Sequence, residues 1–233
     1  MIDRVNIMHR EIEPDKLTMQ DDWILIEKIK KEKSKGGIWI AGKAGVRTEH
    51  CYGRVVSLGR GMCAEADGKI YPMDLKIGDT ILSMDYLGEK MQHTIDDRNF
   101  RAIREHAVWA KVKLGPNLEV LDIEPYLNRV LVKITEKGIT QGGIQLPSSH
   151  QLRGYTVANV VKVGPGWLDL KTGFRYPMET KPGDQVIMTR YAGSICTADS
   201  EELRLIEERP YMEGDPQPDI LCVCEGVKGF EYD

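Results

Sequence analysis

Tyr71-Pro72-Met73-Asp74-Leu75-Lys76-Ile77-Gly78-Asp79 returns 105 positions later, from 71 to 176, as Tyr176-Pro177-Met178-Glu179-Thr180-Lys181-Pro182-Gly183-Asp184. Three more blocks keep nearly the same spacing. Val55-Val56-Ser57-Leu58-Gly59-Arg60-Gly61 matches Val160-Val161-Lys162-Val163-Gly164-Pro165-Gly166. Gly36-Gly37-Ile38-Trp39-Ile40 matches Gly142-Gly143-Ile144-Gln145-Leu146, and Trp23-Ile24-Leu25-Ile26-Glu27-Lys28 pairs with Asn128-Arg129-Val130-Leu131-Val132-Lys133. Four blocks in one order at nearly one spacing mark a duplication. Each copy is about 100 residues, an ordinary small domain, and 233 residues hold two.

The local signal within each copy is β. Trp23 to Ile26, Arg54 to Leu58, Thr80 to Met84 and Ala107 to Val112 are short runs enriched in Ile, Val and Leu, separated by glycine turns. Lys76-Ile77-Gly78-Asp79 and Lys181-Pro182-Gly183-Asp184 read as turns leading into strands. Helical periodicity is weak and confined to Asp199 to Glu207. The closing strand Ala107 to Val112 has its counterpart in Ile220 to Cys224, displaced by an inserted loop from Pro210 to Pro218. Many short strands in so few residues predict a small barrel, which removes exposed edges by closing on itself. The expected organisation is an extension over residues 1–21, a first domain over 22–112, a linker over 113–125 and a second domain over 126–233. Gly115-Pro116-Asn117 breaks regular structure in the linker. The four blocks assign residues 1–21 no counterpart.

Composition narrows the function. The chain is 41% hydrophobic and 29% charged with a net charge of −4, which argues against a nucleic-acid binder because phosphate binding needs clustered Lys and Arg. The one basic cluster, Lys28 to Lys35, is interrupted by Glu32 and reads as a solvated loop flank. No apolar run approaches the roughly 20 residues a membrane helix needs. Met1 to Thr18 has no apolar core and contains acids, so it reads as neither a secretory signal nor a transit peptide. A soluble, intracellular protein is expected, with no nucleic-acid or membrane partner.

The cysteines at 51, 63, 196, 222 and 224 are odd in number and without Cys-x-x-Cys spacing, so they predict no disulfide framework. They read as small hydrophobes in a reducing compartment. His50 beside Cys51 is the only close pair, and neighbours on a strand face opposite ways, so no metal site is expected. The catalytic search is empty: there is no Gly-x-Ser-x-Gly, P-loop, His-Glu-x-x-His or dinucleotide fingerprint. Gly59-x-Gly61 and Gly164-x-Gly166 read as turns between strands rather than phosphate loops.

One segment has a physical logic of its own. Lys30 to Lys35 is too charged to bury itself, and Gly36-Gly37 adds backbone freedom. Ile38-Trp39-Ile40 is then abruptly apolar before Ala41-Gly42-Lys43-Ala44-Gly45. Core packing explains such a triplet poorly, whereas a tip that orders on a partner explains it well.

Taken in order, these blocks resemble the GroES co-chaperonin family across nearly the whole of each copy, about 22–112 and 126–225. Their tandem arrangement resembles the double co-chaperonins of plastids, and phages also encode members of the family. The resemblance implies an all-β fold of two tandem GroES-like irregular β-barrels joined by a short linker. It implies that Gly36, Gly37, Ile38, Trp39 and Ile40, and likewise Gly142, Gly143, Ile144, Gln145 and Leu146, form mobile chaperonin-binding loops. It also implies that the hairpins ending at Tyr71 and Tyr176 form the roof of a dome. The implied function is to cap a GroEL-type chaperonin and assist ATP-dependent folding. The chain itself is then not an enzyme and carries no cofactor, with ATP on the chaperonin partner.

In that family barrels join side by side into a ring. Two fused barrels force an even number of loops per closed ring, so a homo-oligomer of three or four chains is expected, four by the plastid resemblance. The location implied is cytoplasmic, in a host cytoplasm for a phage protein, or an organelle interior for a processed chain. Two other classes stand beside this one. Medium-chain alcohol dehydrogenases contain a GroES-like domain but also need a dinucleotide-binding half, for which this chain has neither room nor residues. A structural or assembly protein could keep the barrel and lose chaperonin binding, but it would have no use for Ile38-Trp39-Ile40 in a solvated loop.

Overall fold

The computed structural model of the chain describes residues 17–29, 50–65, 68–84, 88–90, 100–134, 155–189, 192–198, 201–208 and 219–224. In chain order the strands are β1 (Trp23–Lys28), β2 (His50–Leu58), β3 (Met62–Cys63), β4 (Ile70–Tyr71), β5 (Thr80–Met84), β6 (Glu89–Lys90) and β7 (Phe100–Arg104). A single 3-10 turn at Glu105–Ala107 precedes β8 (Val108–Leu114) and β9 (Val120–Pro125). The second series is β10 (Arg129–Ile134), β11 (Tyr155–Val163), β12 (Trp167–Leu168), β13 (Arg175–Tyr176), β14 (Gln185–Thr189), β15 (Ser194–Ala198), β16 (Glu201–Glu207) and β17 (Ile220–Cys224). The described residues contain no α-helix. The fold class is all-β, as the sequence predicts.

Two compact units divide between Val108 and Trp109. In the first, antiparallel strands run in the order β6-β7-β1-β2-β5. In the second the order is β15-β16-β10-β11-β14-β17, again antiparallel. The duplication extends to irregularities: β1 and β2 slip register between Leu25 and Ile26, and β10 and β11 slip between Leu131 and Val132.

Each core is built around its first strand. Ile24, Leu25 and Ile26 are consecutive and fully buried, so both faces of β1 are covered, and Val130, Leu131 and Val132 do the same in β10. A half-exposed strand would alternate instead. Ile81, Leu82 and Ile103 are fully buried in the first unit; around β10 lie Ala158, Val160, Val186, Met188 and Ile206. Each fully buried Leu or Ile contributes roughly 1.5–3 kcal/mol.

The repeated Lys-x-Gly-Asp turns close the same way. Asp79 N–H donates to Lys76 O at 3.0 Å, Asp184 N–H to Lys181 O at 3.0 Å, and Gly78 and Gly183 have φ of 95° and 96°. That is a type II turn, with glycine where φ must be positive. Pro182 occupies the position where a fixed negative φ fits.

The structure departs from expectation in three places. Residues 201–207, which read as weakly helical, form strand β16. Leu203 and Leu205 point inward two apart, and Ile206 adds the extra apolar position that imitates a helical period. Pairing with β15 on one side and β10 on the other fixes the strand. The stretch expected as a linker, 113–125, carries the end of β8 and all of β9, paired from Ala110↔Pro125 to Leu114↔Val120. Gly115-Pro116-Asn117 is a tight reversal rather than the end of structure: Gly115 N–H donates to Glu119 O at 2.8 Å and Leu118 N–H to Gly115 O at 3.0 Å. Finally, the hairpins β6–β7 and β15–β16 have no match among the strands read from the sequence.

Candidate functional site

The ten residues expected to bind a chaperonin, Gly36, Gly37, Ile38, Trp39, Ile40, Gly142, Gly143, Ile144, Gln145 and Leu146, lie outside the described residues. So does the 210–218 insertion. What the structure describes is the roots of the two segments. β1 and β2 are antiparallel neighbours, with Lys28 opposite Gly53 and Ile29 N–H donating to Tyr52 O at 2.8 Å. β10 and β11 are neighbours in the same sense, ending with Ile134 opposite Ala158.

A turn of 2–5 residues suffices to join such neighbours. Here the chain leaves at Ile29 and returns at His50, and leaves at Ile134 and returns at Tyr155. Both excursions, of about twenty residues, far exceed what closing a hairpin requires. The first root is tightly packed: a Cβ on Gly53 would sit 2.7 Å from Ile26 Cδ1. The second is flanked by the exposed Lys133–Glu201 ion pair at 2.9 Å.

The glycine motifs anchor the second paired feature, the short hairpins β3–β4 and β12–β13. Gly61 N–H donates to Asp21 O at 2.8 Å and Gly166 N–H to Leu127 O at 3.0 Å. A Cβ on Gly61 would meet Tyr71 O at 2.0 Å, and one on Gly166 would meet Tyr176 O at 2.2 Å. Cβ atoms on Gly59 and Gly164 would both lie 2.2 Å from the carbonyls of Asp21 and Leu127. Each Gly-x-Gly is therefore a point of close backbone approach, at the position the sequence reads as a turn between strands.

The two hairpins differ at their faces. On the second, Trp167 stacks on Tyr176 with centroids 5.5 Å apart, and Phe174 meets Tyr176 edge-on at 4.9 Å. The corresponding residues on the first are Met62, Lys69 and Tyr71. The sequence carried a signal for this cluster: Phe174 and Tyr176 are two apart, and hairpin register places Trp167 opposite Tyr176.

No group of three or more His, Cys, Asp or Glu side chains that could hold a metal ion occurs among the described residues. Cys51 and Cys196 are buried while Cys63 and Cys222 are exposed. Burial pushes the Cys196 thiol up to about 12, which leaves it unreactive as a nucleophile. Asp122 on β9 is held below the ordinary carboxylate range, chiefly through its hydrogen bond to Lys162.

Residues 16–112 and again 122–212 match the family model described as Chaperonin 10 Kd subunit. The chain belongs to this family. It does so twice, and the two matched stretches overlap the two copies read from the repeat. Among similar proteins, the 20 kDa chloroplastic chaperonin of Spinacia oleracea is 29% identical over 175 residues, covering 74% of this chain and 64% of that protein. The co-chaperonin GroES of Methylacidiphilum infernorum is 37% identical over 105 residues, 45% of this chain and 95% of its own. That of Desulforapulum autotrophicum is 42% identical over 88 residues, 37% of this chain and 87% of its own. The bacterial matches each span about one copy; the spinach match is longer than one copy. The family fold is a β-barrel, so the chain is a tandem of two such domains.

Proposed function

We propose that this chain is a co-chaperonin that caps a GroEL-type chaperonin through two loops, Gly36–Ile40 and Gly142–Leu146, and assists ATP-dependent protein folding. The observation that carries the reading is family membership in both copies. The roots support it: in each copy a long excursion leaves the same pair of strands. ATP is bound and hydrolysed by the partner; the chain contributes no catalysis and needs no cofactor. It works as a ring-shaped homo-oligomer of three or four chains, in the cytoplasm or an organelle interior. No described helix is long and apolar enough to cross a membrane.

A single tip binds weakly. Burying two Ile side chains yields at most roughly 3–6 kcal/mol, and ordering the loop removes several of those. A ring that presents many tips at once gains by high effective concentration, and weak contacts let a lid come off each cycle. The test is co-elution with a GroEL-type chaperonin with and without ATP. Nucleotide-dependent co-elution is expected. A chain that never co-elutes, while a bacterial GroES does so in parallel, overturns the reading.

A further inference from the structure

On the side away from β2, strand β1 pairs with β7; on the side away from β11, strand β10 pairs with β16. The two pairings share one register. Ile24 faces Ile103 and Leu25 faces Ala102 in the first copy; Val130 faces Ile206 and Leu131 faces Leu205 in the second. All eight side chains are buried. The next pair agrees as well, with Arg101 opposite Ile26 and Arg204 opposite Val132. Apolar fit therefore does not tell β7 from β16, and exchange of equivalent elements is a characteristic failure of repeated domains.

The first pair of each ladder breaks the agreement. Trp23 faces Arg104 in the first copy, and Arg129 faces Glu207 in the second. Arg104 Nη1 lies 2.7 Å from Asp22 Oδ1, so the anion stands at the entry to β1 and the cation on β7. In the second copy Arg129 Nη1 lies 2.5 Å from Glu207 Oε1, which puts the cation on β10 and the anion on β16. Asn128 takes the place of Asp22 and donates from Nδ2 to Glu207 Oε1 at 3.1 Å. The polarity of the ion pair is thus inverted between the copies. The Asp22 and Arg129 side chains are only 7% and 8% exposed, so water screens them little. Setting β16 against β1 would bring Glu207 onto Asp22, and setting β7 against β10 would bring Arg104 onto Arg129. Both exchanges leave a buried charge facing its like instead of its partner, an arrangement that selects against the wrong pairing.

We infer that the inverted pairs Asp22–Arg104 and Arg129–Glu207 decide which partner strand each first strand takes, and so keep the two copies of a duplicated chain from exchanging β7 and β16. This concerns the folding of the tandem chain and stands apart from chaperonin docking.

Oxidative refolding of the full chain carrying Glu27→Cys and Leu203→Cys tests this. Glu27 faces Phe100, and since Ala102 and Leu205 stand at matching positions, an exchanged β16 sets position 203 opposite position 27. The 27–203 disulfide, identified by peptide mass mapping, therefore counts exchanged chains. Inverting only the second copy (Arg129→Glu with Glu207→Arg) or only the first (Asp22→Arg with Arg104→Glu) keeps an ion pair in each barrel but gives both the same polarity. Each inversion is expected to raise the 27–203 link on the order of tenfold. Making both inversions together restores opposite polarity and is expected to return the link to its starting level, although that chain carries the most substitutions. A link no more frequent in either single-copy inversion, or most frequent in the chain with both, overturns the inference. Where the single-copy inversions lose folded chain instead, recovery in the chain with both supports the inference, and a loss that persists there overturns it.

Discussion

Asp122 on β9 accepts a hydrogen bond from the Lys162 ammonium on β11 at 2.5 Å, joining the hairpin that follows β8 to the second barrel. The sequence reading placed Asp122 in a linker, where a lone acid would have no assigned partner. The contact makes β9 an element of the second unit, in agreement with the division between Val108 and Trp109.

The pair makes stability depend on pH in a definite direction. The Lys162 hydrogen bond, followed by its charge, lowers the Asp122 pKa below its ordinary 3.8. Folding therefore favours the ionised carboxylate. That stability is fully present above 3.8 and is lost as pH falls through the lowered value. Both side chains are about two-fifths exposed, at 42% and 41%, so screening holds the effect to about 0.2–1 kcal/mol. Asp122→Asn is expected to lower the unfolding free energy measured in urea by that amount at neutral pH. The difference between the two proteins should vanish in acid well below pH 3.8, and a difference that grows as pH falls would contradict the assignment.

Two glycines separate conformational strain from steric clash. Gly61 and Gly68 both have positive φ, 103° and 65°. A Cβ on Gly61 strikes the Tyr71 carbonyl, whereas a Cβ on Gly68 has nothing within 4 Å. Gly68→Ala is expected to cost about 1 kcal/mol, the usual penalty for a left-handed residue. Gly61→Ala should cost clearly more, about 2 kcal/mol or above, because backbone must move. Equal losses in chemical denaturation would show that the β3–β4 hairpin shifts freely.

How far the sequence spoke depended on whether a residue's neighbours were local. The Lys-x-Gly-Asp turns were legible because three adjacent residues determine them. Strands β1 and β2 were legible as strands because each is a short run rich in Ile, Val and Leu, but their pairing comes only from the structure. Strand β16 was not, since Leu203, Leu205 and Ile206 fit two periods equally well. Only pairing with Val130 to Val132 and with β15 decides between them. β9 was missed for a different reason: Pro116 and Gly115 look like an ending, and nothing local reveals that Glu119 closes a reversal. The candidate loops were legible by composition alone, since an apolar triplet between glycines and lysines needs no coordinates to stand out.

Thiol labelling reads burial directly. Cys63 and Cys222 are exposed, whereas Cys51 and Cys196 are buried, with Cys196 held up to about 12. At pH 8 the first two are expected to react with an aromatic disulfide within minutes, and Cys51 and Cys196 only when the chain unfolds. Replacing all five cysteines by Ala or Ser should leave chaperonin binding intact, with some stability lost at the buried positions. Loss of binding in a folded five-fold variant would give the thiols a role that the present reading denies them.

The last expectation assigns roles within the proposed loops. A tip that docks in an extended conformation turns residues two apart to the same side. Ile38 and Ile40 then enter an apolar groove together, as Ile144 and Leu146 do in the second copy. The middle residue faces elsewhere, which accounts for Trp39 in one loop and Gln145 in the other. A groove that demanded an apolar middle residue would exclude Gln145, because burying an unpaired amide costs about 1–3 kcal/mol. Ile38→Ser combined with Ile40→Ser is therefore expected to abolish most binding through the first loop. Trp39→Gln should weaken it modestly through loss of a rim contact, and Gln145→Trp should strengthen the second loop. The measurement is chaperonin affinity with nucleotide present, compared across these variants in the full chain. If Trp39→Gln alone were as damaging as the double isoleucine change, the alternating arrangement would be wrong.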